Sequence, residues 1–73
     1  MKYLVIEIQH NLDGTVGNIV FAFDDRNQAE SKYHSILASA AVSAVYIHSA
    51  ILMTSTGVQV AHQSYTHGAE EDE

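Results

Sequence analysis

The sequence predicts an α+β fold with the order β-β-α-β-β, in which one helix packs on a four-stranded, largely antiparallel sheet. Two segments of alternating apolar and polar residues flank an Asp-Gly turn near the N-terminus. A stretch with helical spacing follows, and two more alternating segments complete the pattern. The chain has 73 residues, a length that suits one domain. We expect that domain at 1–68 and an acidic, disordered tail at 69–73.

The first two strands are predicted from "KYLVIEIQH" and "NIVFAF". The first strand has one fully apolar face, formed by Leu4, Ile6 and Ile8, and one mixed face, formed by Tyr3, Val5, Glu7 and Gln9. The second places Ile19, Phe21 and Phe23 on one side. Asp13-Gly14 between them is a strong turn dipeptide, and Gly17 offers a further bend. These strands are therefore expected to form a hairpin.

A helix is predicted within "DDRNQAESKYHSILASAAVSA", where apolar residues recur at three- and four-residue intervals: Ala29, Tyr33, Ile36, Leu37, Ala40 and Ala44. Asp24 or Asp25 can cap its start, and Gln28 stands three residues after Asp25 as in a capping box. The back half, "LASAAVSA", carries small apolar residues on nearly every side. Such a helix is expected to contact something beyond its own sheet.

The third and fourth strands are predicted from "VYIHSAILMT" and "VQVAHQSYTH", with "STG" as the turn. The third is largely apolar on both faces, as in a strand that is covered on both sides. One of its faces carries Val45, Ile47, Ser49, Ile51 and Met53, and the other carries Tyr46, His48, Ala50, Leu52 and Thr54. The fourth strand is more polar and is expected near an edge of the sheet.

Self-association is expected because the chain has more apolar surface than one helix can cover. No Lys, Arg, Asp or Glu lies between Lys32 and Glu70, and no Cys is present to form a disulfide. The surplus is buried most economically against another copy, in a homodimer or a higher symmetric oligomer. The alternative is a monomer that tolerates small Ala and Ser side chains at its surface.

The net charge of −6 is concentrated at one end, because four of the nine acids lie at 70–73. This tail is interpreted as a solvated end; the alternative is an element that mimics nucleic-acid phosphates or docks on a basic partner. With only three fixed cations, binding to DNA or RNA is not expected. "MKYLVIEIQH" does not resemble a secretory signal, and no run of about 18 apolar residues predicts a membrane span. A cytoplasmic protein without membrane contact is therefore expected.

The five histidines raise the possibility of a metal site. A three-residue turn at 55–57 would place His48 and His62 on one face at diagonal positions, about 7–8 Å apart. Neither strand contains a carboxylate, and no zinc-binding spacing occurs. No metal or other cofactor is expected. Because motifs for a catalytic nucleophile or a phosphate-binding loop are also absent, the chain is not expected to be an enzyme.

A binding site for a small ligand is predicted around "RNQAESKYH". The candidate ligand-binding residues are Arg26, Lys32, Tyr33, His34, Tyr46 and His48. Arg26 and Lys32 do not share a helix stripe, since six residues turn a helix by about 240°. Across a symmetric interface, residues of two copies could form one pocket, with cations for phosphate or carboxylate and tyrosines for stacking on a base. In the alternative, Arg26–Glu30 and Glu30–His34 are surface pairs that only stabilise the helix.

"YLVIEIQ", "DGTVGN", "NQAESKYH" and "AAVSAVYIH" together resemble short proteins encoded in phages and prophages of Firmicutes, often near tail and lysis genes. The resemblance spans nearly the whole chain except the acidic tail, and it brings no active site with it. It implies a phage protein in a bacterial cytoplasm. One expected role is to sequester a nucleotide-like immune signal of the host without cleaving it. The alternative is a protein-interaction role, either inhibition of a host defence protein or an accessory role in tail assembly or lysis.

Overall fold

The predicted α+β architecture is confirmed by a computed structural model, which describes residues 2–67. The elements are β1 (Tyr3–His10), β2 (Val16–Phe23), α1 (Arg26–Ala41), β3 (Ile47–Thr54) and β4 (Gln59–Thr66). They form one sheet with the order β2-β1-β3-β4, in which every neighbouring pair is antiparallel. The more polar β4 is an edge strand, as expected. The acidic tail predicted at 69–73 lies outside the described residues.

The predicted Asp-Gly turn joins β1 to β2. Gly14 has φ of 92°, a left-handed conformation that glycine adopts without steric cost. The Asp13 carboxylate accepts hydrogen bonds from the Thr15 amide at 3.0 Å and from its hydroxyl at 2.7 Å. These bonds hold the pKa of Asp13 below its ordinary value. The hairpin is thus closed by the turn chemistry that its sequence indicates.

Helix α1 is capped by Asp25, whose side chain accepts a hydrogen bond from the Asn27 amide at 3.3 Å. It ends at Ala41, three residues before the end of the segment that its spacing predicts, so Ala44 lies outside the helix. The reason is local: the Ser43 hydroxyl accepts a hydrogen bond from the Val45 amide at 2.9 Å. This bond stabilises a turn in place of another helical turn.

The core lies between α1 and one face of the sheet, which we call the helix side. Val5, Ala50 and Leu52 of the sheet pack there against Ala29, Tyr33 and Ile36 of the helix, and each is at most 6% exposed. Phe21 and Phe23 complete the layer from β2. The mixed face of β1 is therefore the one that the helix covers, and the fully apolar face is not.

The other side of the sheet is covered by no element among residues 2–67, and we call it the open face. Its strand residues include no Lys, Arg, Asp or Glu. Val16 and Val20 of β2 are 57% and 55% exposed. The open face consists of Leu4, Ile6, Ile8, His10, Val16, Asn18, Val20, Ala22, Ile47, Ser49, Ile51, Met53, Gln59, His62, Ser64 and Thr66.

The prediction that His48 and His62 share a face is wrong. The expected turn is present, with the Thr54 amide donating to the Val58 carbonyl at 2.8 Å, but a β-bulge between Leu52 and Met53 shifts the register. Because one extra residue reverses the side-chain alternation beyond it, His62 pairs with Ile51 on the open face. His48 lies on the helix side.

Leu52→Ala should lower the free energy of unfolding by about 2–4 kcal/mol, because it leaves a cavity in the layer beneath α1. Leu12→Ala is the matched control, since Leu12 lies in the β1–β2 turn and is 74% exposed; its cost should stay within about 0.5 kcal/mol. Urea unfolding followed by circular dichroism measures both values. Equal costs would contradict the assignment of the core to the helix side.

Candidate binding site

The site begins with a carboxylate and an imidazole on the helix side of two neighbouring strands. Glu7 of β1 and His48 of β3 occupy diagonal positions, because Glu7 pairs with Ala50 and Gln9 pairs with His48. The Oε2 atom of Glu7 lies 2.6 Å from Nε2 of His48. The His48 side chain is 5% exposed and that of Glu7 is 16% exposed. Strand pairing thus joins two residues that are 41 positions apart in sequence.

The hydrogen bonds around Glu7 determine which atoms remain free. Since an ionised carboxylate only accepts, His48 donates from Nε2 and Gln9 donates its amide NH2 to the same Oε2 atom, at 3.1 Å. With its NH2 group turned toward Glu7, the side chain of Gln9 has its carbonyl oxygen left as an acceptor. Within residues 2–67 no hydrogen bond reaches Oε1 of Glu7, and the buried Nδ1 atom of His48 also has no partner there.

Opposing effects act on the ionisation of Glu7. Burial raises the pKa of its carboxyl group, but the hydrogen bonds from His48 and Gln9 lower it, and the charges of His48 and Lys32 lower it further. The result is a pKa below the ordinary value. Glu7 therefore remains a carboxylate at neutral pH and offers acceptors only.

A groove of about 170 Å³ adjoins this cluster at the corner of the sheet where β1 ends and β2 begins, and it is lined by Glu7, Gln9, Gly17, Asn18 and Ile19. Gly17 contributes no side chain, and a Cβ atom placed on it would meet nothing within 4 Å. Ile19 is 51% exposed. The groove therefore combines acceptor groups with an apolar wall and an unfilled position on β2.

The four predicted ligand-binding residues on α1 have separate contacts. Arg26 Nε donates to Glu30 at 2.8 Å, which is the surface pair of the alternative interpretation. Lys32 places its ammonium 4.2 Å from the centre of the Phe21 ring, a cation–π distance. Tyr33 is 6% exposed in the core, and the exposed His34 packs edge-on against it, with ring centres 5.3 Å apart.

The two predicted residues near β3 also lie apart from each other. Tyr46 precedes β3 and packs edge-on against His10, with ring centres 6.1 Å apart, whereas His48 bonds to Glu7. Of the six candidates, His48 alone forms a hydrogen bond with a groove residue, which is Glu7. The charge of Lys32 also lowers the pKa of Glu7. One chain therefore does not bring the six residues into one pocket.

The sequence interpretation missed Glu7, Gln9, Gly17 and Ile19. One signal was available: Glu7 and Gln9 alternate with Val5 on a single face of β1. An ionisable side chain on the face that also carries a core residue requires a partner. The identity of that partner, His48, depends on the pairing of β1 with β3, which no local pattern gives.

Residues 2–67 contain no group of three His, Cys, Asp or Glu side chains placed to hold a metal ion. Within the same range, the structure contains no helix with the length and hydropathy needed to cross a bilayer. Comparison with family models, with curated proteins and with solved structures found no match to this chain. A function is therefore inferred from the contacts and surfaces of the chain itself.

Glu7→Gln should destabilise the protein by about 1–2 kcal/mol at pH 7, because a charge-assisted hydrogen bond to His48 is lost. A lowered pKa in the folded state stabilises above the unfolded value of about 4.3, and this effect disappears as the pH falls through the folded value. The difference between variant and parent should therefore shrink between about pH 5 and pH 3. Urea unfolding at a series of pH values measures it.

Glu30→Gln is the control for this pH series, since Glu30 pairs with Arg26 at the surface. Its effect should stay below about 1 kcal/mol at pH 7. A Glu7→Gln difference that is the same at pH 3 and pH 7 would show that the ionisation of Glu7 contributes nothing to stability.

Proposed function

We propose that this chain is a non-enzymatic, homo-oligomeric binding protein that buries its open face against a second copy and holds a small nucleotide-like ligand. The observation that carries the first part is an apolar sheet face with no charged strand residue and no covering element among residues 2–67. Exposed apolar patches of this kind are typical of interfaces. The resemblance to phage proteins adds the setting, a bacterial cytoplasm.

The distribution of residues on the open face matches the anatomy of an interface. The central strands β1 and β3 contribute large aliphatic side chains, including Ile6 and Ile51, which pair directly. The β4 edge is polar, and the hydroxyls of Ser49 and Ser64 satisfy each other there at 2.8 Å. Lys2 and Asp24 form an ion pair just outside the strands at one end. An apolar centre bounded by polar residues is the usual arrangement at protein interfaces; here the polar boundary lies along β4, whereas the β2 edge carries the exposed Val16 and Val20.

The size and chemistry of the face favour a second copy as its occupant. Four strands of eight residues span about 19 Å by 27 Å, or about 500 Å² per copy. Two copies would bury about 1,000 Å², the lower bound for a specific interface. Because the strand residues of the face include no Lys, Arg, Asp or Glu, the same surface on a partner brings no permanently charged side chain into the interface. A two-fold, sheet-to-sheet dimer is the simplest closed assembly.

The ligand part of the proposal rests on the groove beside Glu7 and on Lys32 next to it. A site of this kind holds a ligand without a nucleophile or a metal, which suits sequestration rather than turnover. In an infected cell, such a dimer would lower the concentration of a nucleotide immune signal by binding it. This anti-defence role follows from the phage resemblance together with the groove.

Val20→Lys should convert the dimer to a monomer, because it places an ammonium group on the apolar face that the dimer buries, directly beside Ile6 of the central strand β1. Val20 is 55% exposed in the single chain, so the fold itself tolerates the change. Val42→Lys is the matched control: Val42 is 86% exposed at the end of α1 and should leave the dimer intact. Sedimentation velocity measures the mass of each. A parent that sediments as a monomer at high micromolar concentration would refute the dimer.

Protein purified gently from infected cells should carry a stoichiometric nucleotide-like mass in native mass spectrometry, and denaturation should release it. Lys32→Ala combined with His34→Ala should abolish this extra mass and leave the assembly intact, because the Lys32 ammonium is a cationic contact for a phosphate and a ring N–H of His34 can donate to it. A double variant that retains the mass would place the ligand elsewhere. Assembly without any added mass would favour a protein partner instead, and deletion of 69–73 would then test the tail as its docking element.

A further inference from the structure

We propose that the groove beside Glu7 binds a guanine-type base, that is, a planar ring whose edge carries two neighbouring N–H donors. This inference rests on the proposed function and names the class of its ligand. Three features of the described residues support it: two acceptor groups on hydrogen-bonded neighbouring side chains of one strand face, an apolar side chain beside an unfilled position on β2, and a lysine over the next helix-side residue of β2.

The acceptors are Oε1 of Glu7 and the carbonyl oxygen of Gln9. Both side chains line the groove, and the 3.1 Å bond between them fixes Gln9 so that its amide NH2 faces the carboxylate. Neither acceptor has a hydrogen-bond partner among residues 2–67. Such a pair matches adjacent donors, such as N1–H and the 2-amino group of guanine.

Other bases fit this pair less well. Adenine and cytosine present one amino donor beside a ring nitrogen that is itself an acceptor. That lone pair would face an ionised carboxylate or a carbonyl oxygen, so one hydrogen bond is lost and two acceptors are opposed. A site that is built to receive donors rejects ligands that lack them, because its own polar groups are left unpaired.

The shape of the groove suits a flat ring. Its volume of about 170 Å³ is below the range of about 300–1,000 Å³ typical of pockets that enclose a drug-sized ligand, so we expect it to take the base and leave the sugar outside. Gly17 leaves open space over β2, and the exposed Ile19 side chain gives the ring an apolar contact. Lys32 lies over Phe21, the helix-side residue of β2 that follows Ile19, and we expect its ammonium to contact the phosphate outside the groove.

His48 is a positioning residue in this site. Its Nε2–H bond holds the Glu7 carboxylate by Oε2, which leaves Oε1 for a ligand. The His48 ring is itself almost fully buried, so we expect it to make no direct contact with the base. The lowered pKa of Glu7 supports the same geometry, since a protonated carboxyl group would present a donor to the N1–H of the base.

The first experiment is calorimetric titration of the purified chain with GMP, IMP and AMP. GMP should bind most tightly, IMP about tenfold more weakly because it lacks the 2-amino donor, and AMP more weakly than IMP. Nα-acetylarginine methylamide carries paired N–H donors without a base or phosphate and should bind at least tenfold more weakly than GMP. AMP binding equal to that of GMP, tighter binding of the arginine compound, or no GMP binding at millimolar concentration would overturn the proposal.

Gly17→Val tests the location of the site. A Cβ atom at this position meets nothing within 4 Å and valine suits a strand, so we expect the fold to be kept, the added side chain to occupy groove space, and the GMP affinity to fall at least tenfold. Gln63→Val is the matched control, because Gln63 is exposed on the helix side of the other edge strand, β4. Equal GMP affinity of both variants would overturn the groove as the site.

Glu7→Gln tests the chemistry with a readout that a merely structural role would not change. A glutamine amide can donate and accept at once, as it does toward adenine, so the preference for GMP over AMP should shrink or reverse. An unchanged preference would overturn the role of Glu7. Retention of the cellular ligand by all groove variants would overturn this inference and leave the proposed function standing. A parent protein that is monomeric but binds GMP would overturn the dimer of the proposed function and leave the groove as a guanine site.

Discussion

One constraint shapes this protein: a single helix must stabilise a sheet that is wider than the helix. A helix of 16 residues is about 24 Å long and about 10 Å wide, whereas four strands are about 19 Å across. Helix α1 lies mainly over β3 and β1. It leaves the β2 corner of its own side exposed and cannot reach the other side at all. The groove and the open face therefore have the same cause, which is that one helix covers only part of the sheet.

The Glu7–His48 pair lies at the limit of what the helix covers. Deeper in the layer, Val5, Ala50 and Leu52 are almost fully buried, and a carboxylate there would have a large desolvation cost. At the corner, the Glu7 side chain keeps some contact with water, whereas that of His48 is almost fully buried. The bond between them offsets the desolvation of both groups. Incomplete coverage thus explains why a polar cluster is compatible with so small a core.

The sequence was sufficient for the elements and their order, because alternation, helical spacing and turn dipeptides are local signals. It did not show which face of β1 the helix covers, since Leu4, Ile6 and Ile8 form the more apolar face and yet lie on the open side. Nor did it reveal the bulge between Leu52 and Met53, which has no glycine or proline to mark it. The sequence indicated His48 as a candidate ligand-binding residue, but it did not reveal the bond to Glu7, because that bond depends on the pairing of two strands and joins residues that are 41 positions apart.

The charges of the chain are compatible with a dimer through the open face. Arg26, Glu30 and Lys32 all lie on α1, the layer farthest from that face. In a sheet-to-sheet dimer the two helices would be separated by two sheets, or about 30 Å at the usual layer spacing of about 10 Å. Because the Debye length is about 8 Å in physiological salt, helix charges of the two copies would scarcely repel. Within residues 2–67, the charges on α1 therefore do not oppose pairing through the open face, whose strands include no Lys, Arg, Asp or Glu.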